Sequence, residues 1–421
     1  MRFASFLTST SLSATLLAGS AIAQRTTEQQ EAQINDPTQE CTAYYYQPSA
    51  SQLYNFPTIW QPASILSNDT DAQAKYQSIQ SAIPNIQPKG TQPASLMGDF
   101  SGNQYSSSDP DCWWTYDKCI TPKISGLPPD VAAAPEPETL GFGFDDGPNC
   151  SHNAFYDYLQ TKNQKATMFY IGSNVMDWPL EAQRGLADGH EICVHTWSHR
   201  YMTSLTNEQA FAELYYTMKA IKLVVGVTPT CWRPPFGDMD DRIRSIAHSL
   251  GLTTIVWKYD SNDWQVEAGQ ATVQQVNQNY QNLINGAKNG TFATSGAIML
   301  THELNNFTMT EMMTYYDQLK AAFKYIVPVL SSINQTQPYV ETNYSAPTFD
   351  QYISGTVTTS GSPPNPSTLP GLAPATTGAS GAASTGGASS GKNGAMGGMS
   401  SNMGAWAVTA ALVGGVVRIM L

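Results

Sequence analysis

Asp145 and Asp146 stand side by side where the apolar run Leu140-Gly-Phe-Gly-Phe144 meets the turn signal Gly147-Pro148. Adjacent carboxylates repel, so a strand tip carrying two of them adds nothing to stability. A metal site can use such a pair, one acid binding a cation and the other handling a proton. Downstream lies His195-Thr-Trp-Ser-His199. A spacing of four puts both imidazoles on one face in either a helix or a strand. Two histidines and one carboxylate leave a cation with open positions for water and substrate. Arg233-Pro-Pro-Phe-Gly237 and Leu300-Thr-His302 add a guanidinium and a third imidazole. Singly, each motif has a bland reading as a turn or a polar surface. His152, His190 and His248 have no such partners and read as structural.

Those residues must be positioned by regular elements, and from Glu138 onward the chain alternates strand and helix patterns. Strands are expected over 139–144, 166–171, 191–196, 253–257 and 296–301. Helices are expected over 151–161, 177–188, 206–225, 240–250, 273–288 and 308–330, with Thr206 and Glu208 marking one start. This alternation predicts a parallel sheet, open or closed into a barrel. Functional groups of such sheets gather at the C-terminal ends of the strands. Asp145, Asp146, His195, His199, Arg233, Asp260 and His302 all fall at or just past such ends.

In sequence order, Phe144-Asp-Asp-Gly-Pro148, His195-x-x-x-His199, Arg233-Pro-Pro-Phe-Gly237, Asp260-Ser-Asn-Asp-Trp264 and Leu300-Thr-His302 resemble the five motifs of the polysaccharide deacetylases, the NodB-homology or carbohydrate esterase family 4 enzymes. The resemblance covers about 138–335. It implies an α/β fold, a distorted (β/α) barrel of the NodB-homology type. It implies a divalent metal, zinc with Co2+ as the alternative, held by Asp146, His195 and His199. Asp145 would be the general base, kept in place and charged by Arg233. His302 would be the general acid, oriented by Asp260, with Asp263 the alternative for that role. A backbone N–H near Phe236 would face the oxyanion, and Trp264 and Leu300 would wall the acetyl methyl pocket. Phe236 departs from the tyrosine common at its place, which removes a hydroxyl from the groove.

The ends of the chain point to export. Residues 1–23 read as a signal peptide ending Ala21-Ile22-Ala23, removed in the mature protein. Six cysteines, at 41, 112, 119, 150, 193 and 231, then suit disulfides; Cys112 and Cys119 can close a local loop, and Cys150 and Cys193 are a local pair or buried thiols. The formal net charge of −12 argues against nucleic acid as a partner. Residues 24–134 read as an irregular extension packed on a deacetylase domain at 135–335. A disordered Ser/Thr/Gly/Pro-rich stalk is expected at 336–395, and a GPI-anchor signal at 396–421 with the lipid on Asn393. Anchoring would leave the protein secreted, on the plasma membrane and in the cell wall. Sequons at Asn68, Asn289, Asn306, Asn334 and Asn343 are expected to carry glycans, whereas Asn149 lies too close to the acids. With these features the resemblance narrows to fungal cell-wall chitin deacetylases. It implies chitin as the partner and N-acetyl hydrolysis, giving chitosan and acetate, as the activity. The competing expectations are an O-acetyl xylan esterase using the same site and a non-catalytic chitin-binding wall protein. Nothing in the sequence sets an oligomeric state.

Overall fold

The computed structural model describes residues 25–91 and 98–361. The signal-peptide, anchor and Asn393 expectations, and most of the stalk, lie outside them. Eight strands are named here in chain order: β1 (Thr139–Gly147), β2 (Thr167–Tyr170), β3 (Glu191–Val194), β4 (Cys231–Trp232), β5 (Thr253–Thr254), β6 (Tyr259–Asp260), β7 (Ala297–Leu300) and β8 (Tyr325–Pro328). They form one parallel sheet in the order β5-β4-β3-β2-β1-β7-β6, with β8 also pairing with β1.

The connection between β5 and β6 dictates the shape of that sheet. They occupy opposite ends of the strand order, six spacings apart, which in a flat sheet is roughly 29 Å. Only residues 255–258 join them, a reach of at most roughly 18 Å. The sheet therefore curls until its two edges approach, giving a distorted barrel. Val131, from the N-terminal extension, seals the β5 edge: its N–H donates to Thr254 O and its carbonyl accepts from Val256 N–H.

β1 is buried along its whole length, as expected of a central parallel strand covered on both faces. Phe142 and Phe144 project into the core with Met168, Ile192, Val194 and Ile298, all nearly inaccessible. Helices return the chain between strands, and their starts follow local capping chemistry. The helix Asn207–Val224 begins with a capping box in which Thr206 pairs with Gln209, not with the expected Glu208. The helix Val273–Lys288 has a Thr272–Gln275 box.

Several sequence expectations are corrected. The helix expected over 308–330 is Asn306–Ala322; Phe323 turns extended, and Tyr325–Pro328 becomes β8. The apolar residues of both elements run together, which hid the break. The helix expected over 177–188 is two, Gly172–Asp177 and Pro179–Ala187, because Pro179 cannot donate back into the first. The strand expected over 253–257 pairs with β4 only at Thr253 and Thr254.

The folded domain also continues past residue 335, so the described residues 336–361 are not the stalk expected there. Tyr339 and Tyr344 are buried, and the Tyr339 hydroxyl accepts from Ile192 N–H of β3. Glu341 binds Lys222 and Thr228, and the helix Phe349–Ile353 packs on β8.

The N-terminal extension carries short helices, the longest Thr70–Ile79. It is joined to the domain by buried polar contacts, among them Ala63 N–H to Glu213, Lys89 to Asp240, and Arg244 to Asp130. The disulfides are Cys41–Cys150, Cys112–Cys119 and Cys193–Cys231. The 112–119 loop closes as expected, whereas Cys150 and Cys193 pair elsewhere, with the extension and with β4.

Candidate active site

The C-terminal tip of β1 is fastened to the segment after β7. Asp145 N–H donates to Thr301 O, and Glu303 N–H donates to Asp145 O, making a parallel bridge between Asp145 and His302. Gly147 follows with no room for a side chain, since a Cβ there would lie 1.5 Å from Glu303 Oε1. Asp146 takes a left-handed backbone (φ 72°), and its carbonyl is held by Asn174 Nδ2 at 2.8 Å. The tip therefore turns its two carboxylates in different directions.

Asp146 Oδ1 faces His199 Nε2 at 3.1 Å and His195 Nε2 at 3.4 Å. His195 Nδ1 lies 2.8 Å from the Arg233 carbonyl, which can only accept, so Nδ1 carries the proton and Nε2 presents a lone pair. Asp146 Oδ1 is buried and has no hydrogen-bond partner. A carboxylate oxygen and two imidazole nitrogens converging in a buried place suit a positive charge between them. The three ligand atoms all lie within 4.8 Å of one another, a set that suits a divalent cation. The other cluster of this kind among the described residues, Asp109 with Cys112 and Cys119, is excluded because both sulfurs are in a disulfide.

Asp145 points the other way. Its Oδ1 accepts from Arg233 Nη1 at 2.7 Å, and its Oδ2 lies 3.7 Å from His195 Nε2. Arg233 is fully buried, with its guanidinium 4.1 Å from the centre of the Phe169 ring. One oxygen of Asp145 is thus clamped and the other is left toward the cation set.

His302 is held by Asp263, and the expectation of Asp260 is corrected. Nδ1 of His302 is 2.6 Å from Asp263 Oδ1, and its backbone N–H reaches Asp263 Oδ2 at 3.2 Å. Asn262, left-handed at φ 54°, turns the chain so that Asp263 heads the short helical turn Asp263–Gln265 and faces back. Asp260 instead accepts from Asn262 N–H at 2.7 Å. Burial opposes charge on His302, but Asp263 first, then Asp146 and Asp145, push its pKa up to about 10.

A cleft of about 870 Å³ opens over these groups, lined by Asp145, Asp146, His195, His199, Phe236, Asp260, Trp264, Leu300 and His302. Arg233 stands behind Asp145. Phe236 has a left-handed backbone (φ 58°), stacks on Tyr201 at 4.1 Å and meets His199 edge-on at 4.7 Å. Sequence reasoning missed Tyr201, and it missed Trp60, Trp114, Thr115 and Lys118, which the extension brings to the same cleft. No periodicity marks them; for Trp114, Thr115 and Lys118 the signal was the Trp-Trp pair inside the loop between Cys112 and Cys119. Away from the cleft, Asn68, Asn289, Asn306, Asn334 and Asn343 are exposed. Asn149 is half-buried, with its amide nitrogen bound to Leu304 O.

The polysaccharide deacetylase pattern matches residues 132–255, from the end of the extension to just past β5. A chitin deacetylase 2 of Cryptococcus neoformans var. grubii is 56% identical over 342 residues, covering 80% of this chain and 74% of that protein. The chitin deacetylase of Amylomyces rouxii is 48% identical over 316 residues, covering 73% of each. The solved structure of the chitin deacetylase from Colletotrichum lindemuthianum covers 49% of this chain and 92% of its own at 21% identity, with a TM-score of 0.43. With more than half of the aligned residues identical over most of the Cryptococcus protein, the chain belongs to the polysaccharide deacetylase family.

Proposed function

We propose that this protein hydrolyses the N-acetyl groups of N-acetylglucosamine units in cell-wall chitin, releasing acetate and leaving chitosan. The relatives named above support the substrate. The observation that carries the chemistry is the buried, unpartnered oxygen of Asp146 facing two imidazoles, with Asp145 beside them. Asp146, His195 and His199 would hold the cation, for which zinc suits a mixed imidazole and carboxylate set better than harder ions do, with Co2+ the alternative. When bound, the cation supplies Lewis acidity toward the acetyl carbonyl and makes a water easier to deprotonate.

The protein's own groups account for the rest. Asp145, with Oδ1 fixed by Arg233, uses its other oxygen to take the proton of the attacking water. The Phe236 N–H, set by its left-handed backbone, is the donor for the oxyanion that develops on the carbonyl. His302, held charged and oriented by Asp263, gives its proton to the departing amine nitrogen. Leu300 and Trp264 wall the acetyl methyl group and keep bulk water from it.

The same reading takes 1–23 as a removed export signal and 24–134 as an extension that completes the enzyme domain. The anchor follows a stalk, with Asn393 carrying the lipid. Glycans sit on the five exposed sequons Asn68, Asn289, Asn306, Asn334 and Asn343, and shifts in mass on amidase digestion would read them out.

The test is acetate release from glycol chitin against acetylated xylan, with and without a chelator. Activity on glycol chitin that a chelator abolishes and Zn2+ restores is expected. Asp145→Asn should keep bound metal yet lose roughly 10²–10⁴-fold in kcat. Release from xylan alone would replace chitin as the substrate, and full activity of Asp145→Asn would remove the base.

A further inference from the structure

Trp60 lies well ahead of residues 132–255, which match the polysaccharide deacetylase pattern, yet it lines the cleft over Asp145 and Asp146. Its backbone is left-handed (φ 62°), a strained state for a bulky side chain. Such strain persists only where surroundings over-determine it, and it concentrates at functional positions. Asp146, His199 and Phe236, all facing the same cleft, share it.

Trp60 is over-determined on every side. Its N–H donates to Ser173 Oγ at 2.9 Å, and its carbonyl accepts from Arg200 Nη2 at 2.8 Å. Its indole N–H donates to Asp177 Oδ2 at 3.1 Å. Nearby, Trp197 Nε1–H donates to Thr58 O, and Phe56 stacks on the Trp197 ring. These contacts fix segment 56–60 to the wall beyond β2 and β3. The wall beyond β4 and β5 is also supplied by the extension: Trp114 packs against Gly237 and Trp257, with Lys118 Nζ 3.5 Å over its ring. A tryptophan serving only as a core plug would be fully buried in a relaxed conformation. Trp60 is half-buried and lines the cleft, with its indole N–H tied back to Asp177.

We propose that Trp60 is a specificity-determining residue whose indole face receives a sugar ring adjoining the one that loses its acetyl group. The apolar C–H face of a pyranose suits a fixed aromatic ring, which contributes contact area at little entropic cost. The extension is then part of the substrate site, and productive binding needs an oligosaccharide. This rests on the chitin reading above.

The test compares kcat/KM on the chitin tetramer with that on the dimer. The unsubstituted protein should favour the tetramer. Trp60→Ala should cut that ratio roughly tenfold, the order of one stacked ring, mostly through KM. Trp60→Phe, which keeps a ring without the N–H, should restore most of it. A ratio unchanged in Trp60→Ala, including one reached through equal losses on both oligomers, overturns the proposal. So does a lack of tetramer preference in the unsubstituted protein, or a Trp60→Phe protein no better than Trp60→Ala. If that protein acts on acetylated xylan and not on chitin oligomers, the substrate reading fails instead. The same ratio is then read on acetylated xylotetraose and xylobiose, where it decides the role of Trp60 separately.

Discussion

At the scale of single residues, the acid–base pair can be tested by pH. In the proposed mechanism His302 must carry its proton to donate it, so activity is expected to fall as pH rises through its pKa. Asp263 is the strongest group raising that pKa to about 10, against burial. Asp263→Asn should therefore move the alkaline limb of kcat/KM to lower pH, whereas Asp260→Asn should move it much less. Equal shifts, or a larger one for Asp260→Asn, would return the orienting role to Asp260. Asp145, Asp146, His195, His199, Arg233 and His302 were legible in the sequence because each sits in a short motif at a strand end, where a strand fixes which way a side chain points. Asp260 and Asp263 were not separable that way. The left-handed turn at Asn262 decides which of them faces His302, and nothing in the spacing of two acids three residues apart announces it.

At the scale of elements, helix starts were the most legible feature because caps are local chemistry. The helix Asn207–Val224 shows where that reading slipped. Thr206 was identified, but its reciprocal partner is Gln209, at the third helical position, and not Glu208. Thr206→Ala should cost about 1 kcal/mol in denaturant unfolding, whereas Glu208→Ala should stay within about 0.5 kcal/mol. A reversed order of the two would remove the capping assignment. Three strands, β4, β6 and β8, escaped the sequence for a different reason, and β4 spans only Cys231 and Trp232. β8 follows its helix after a break of only two residues, so apolar residues of both periods overlap. β6 is two residues long and exists because Tyr259 and Asp260 are drawn against Met299 and Leu300.

At the scale of the whole molecule, the extension was the least legible part, since side chains bonded to backbone groups far away in sequence attach it. Glu40 accepts from Asn153 N–H, and Glu213 accepts from Ala63 N–H. Beneath it, Glu31, Glu40 and Glu181 are buried together around Arg25. Burial first, then Glu31, pushes the Glu181 carboxyl from 4.5 up to about 8. The native state keeps a proton that the unfolded chain gives up, so stability is greatest below the unfolded pKa and declines as pH rises toward about 8. Glu181→Gln, measured by denaturant midpoints at acid and mildly alkaline pH, should flatten that decline; an unchanged slope would place its origin elsewhere.

The pairing of β1 also sets a timetable. It meets β2 early in the chain, but β7 and β8 arrive only after residue 296. During synthesis the strand that carries both acids must wait with one edge bare until most of the protein has left the ribosome. A product cut short before Ala297 would keep the acids and both histidines, yet lack the neighbour that fastens Asp145. It would present an open apolar strand to other chains, a hazard for aggregation and not a smaller enzyme.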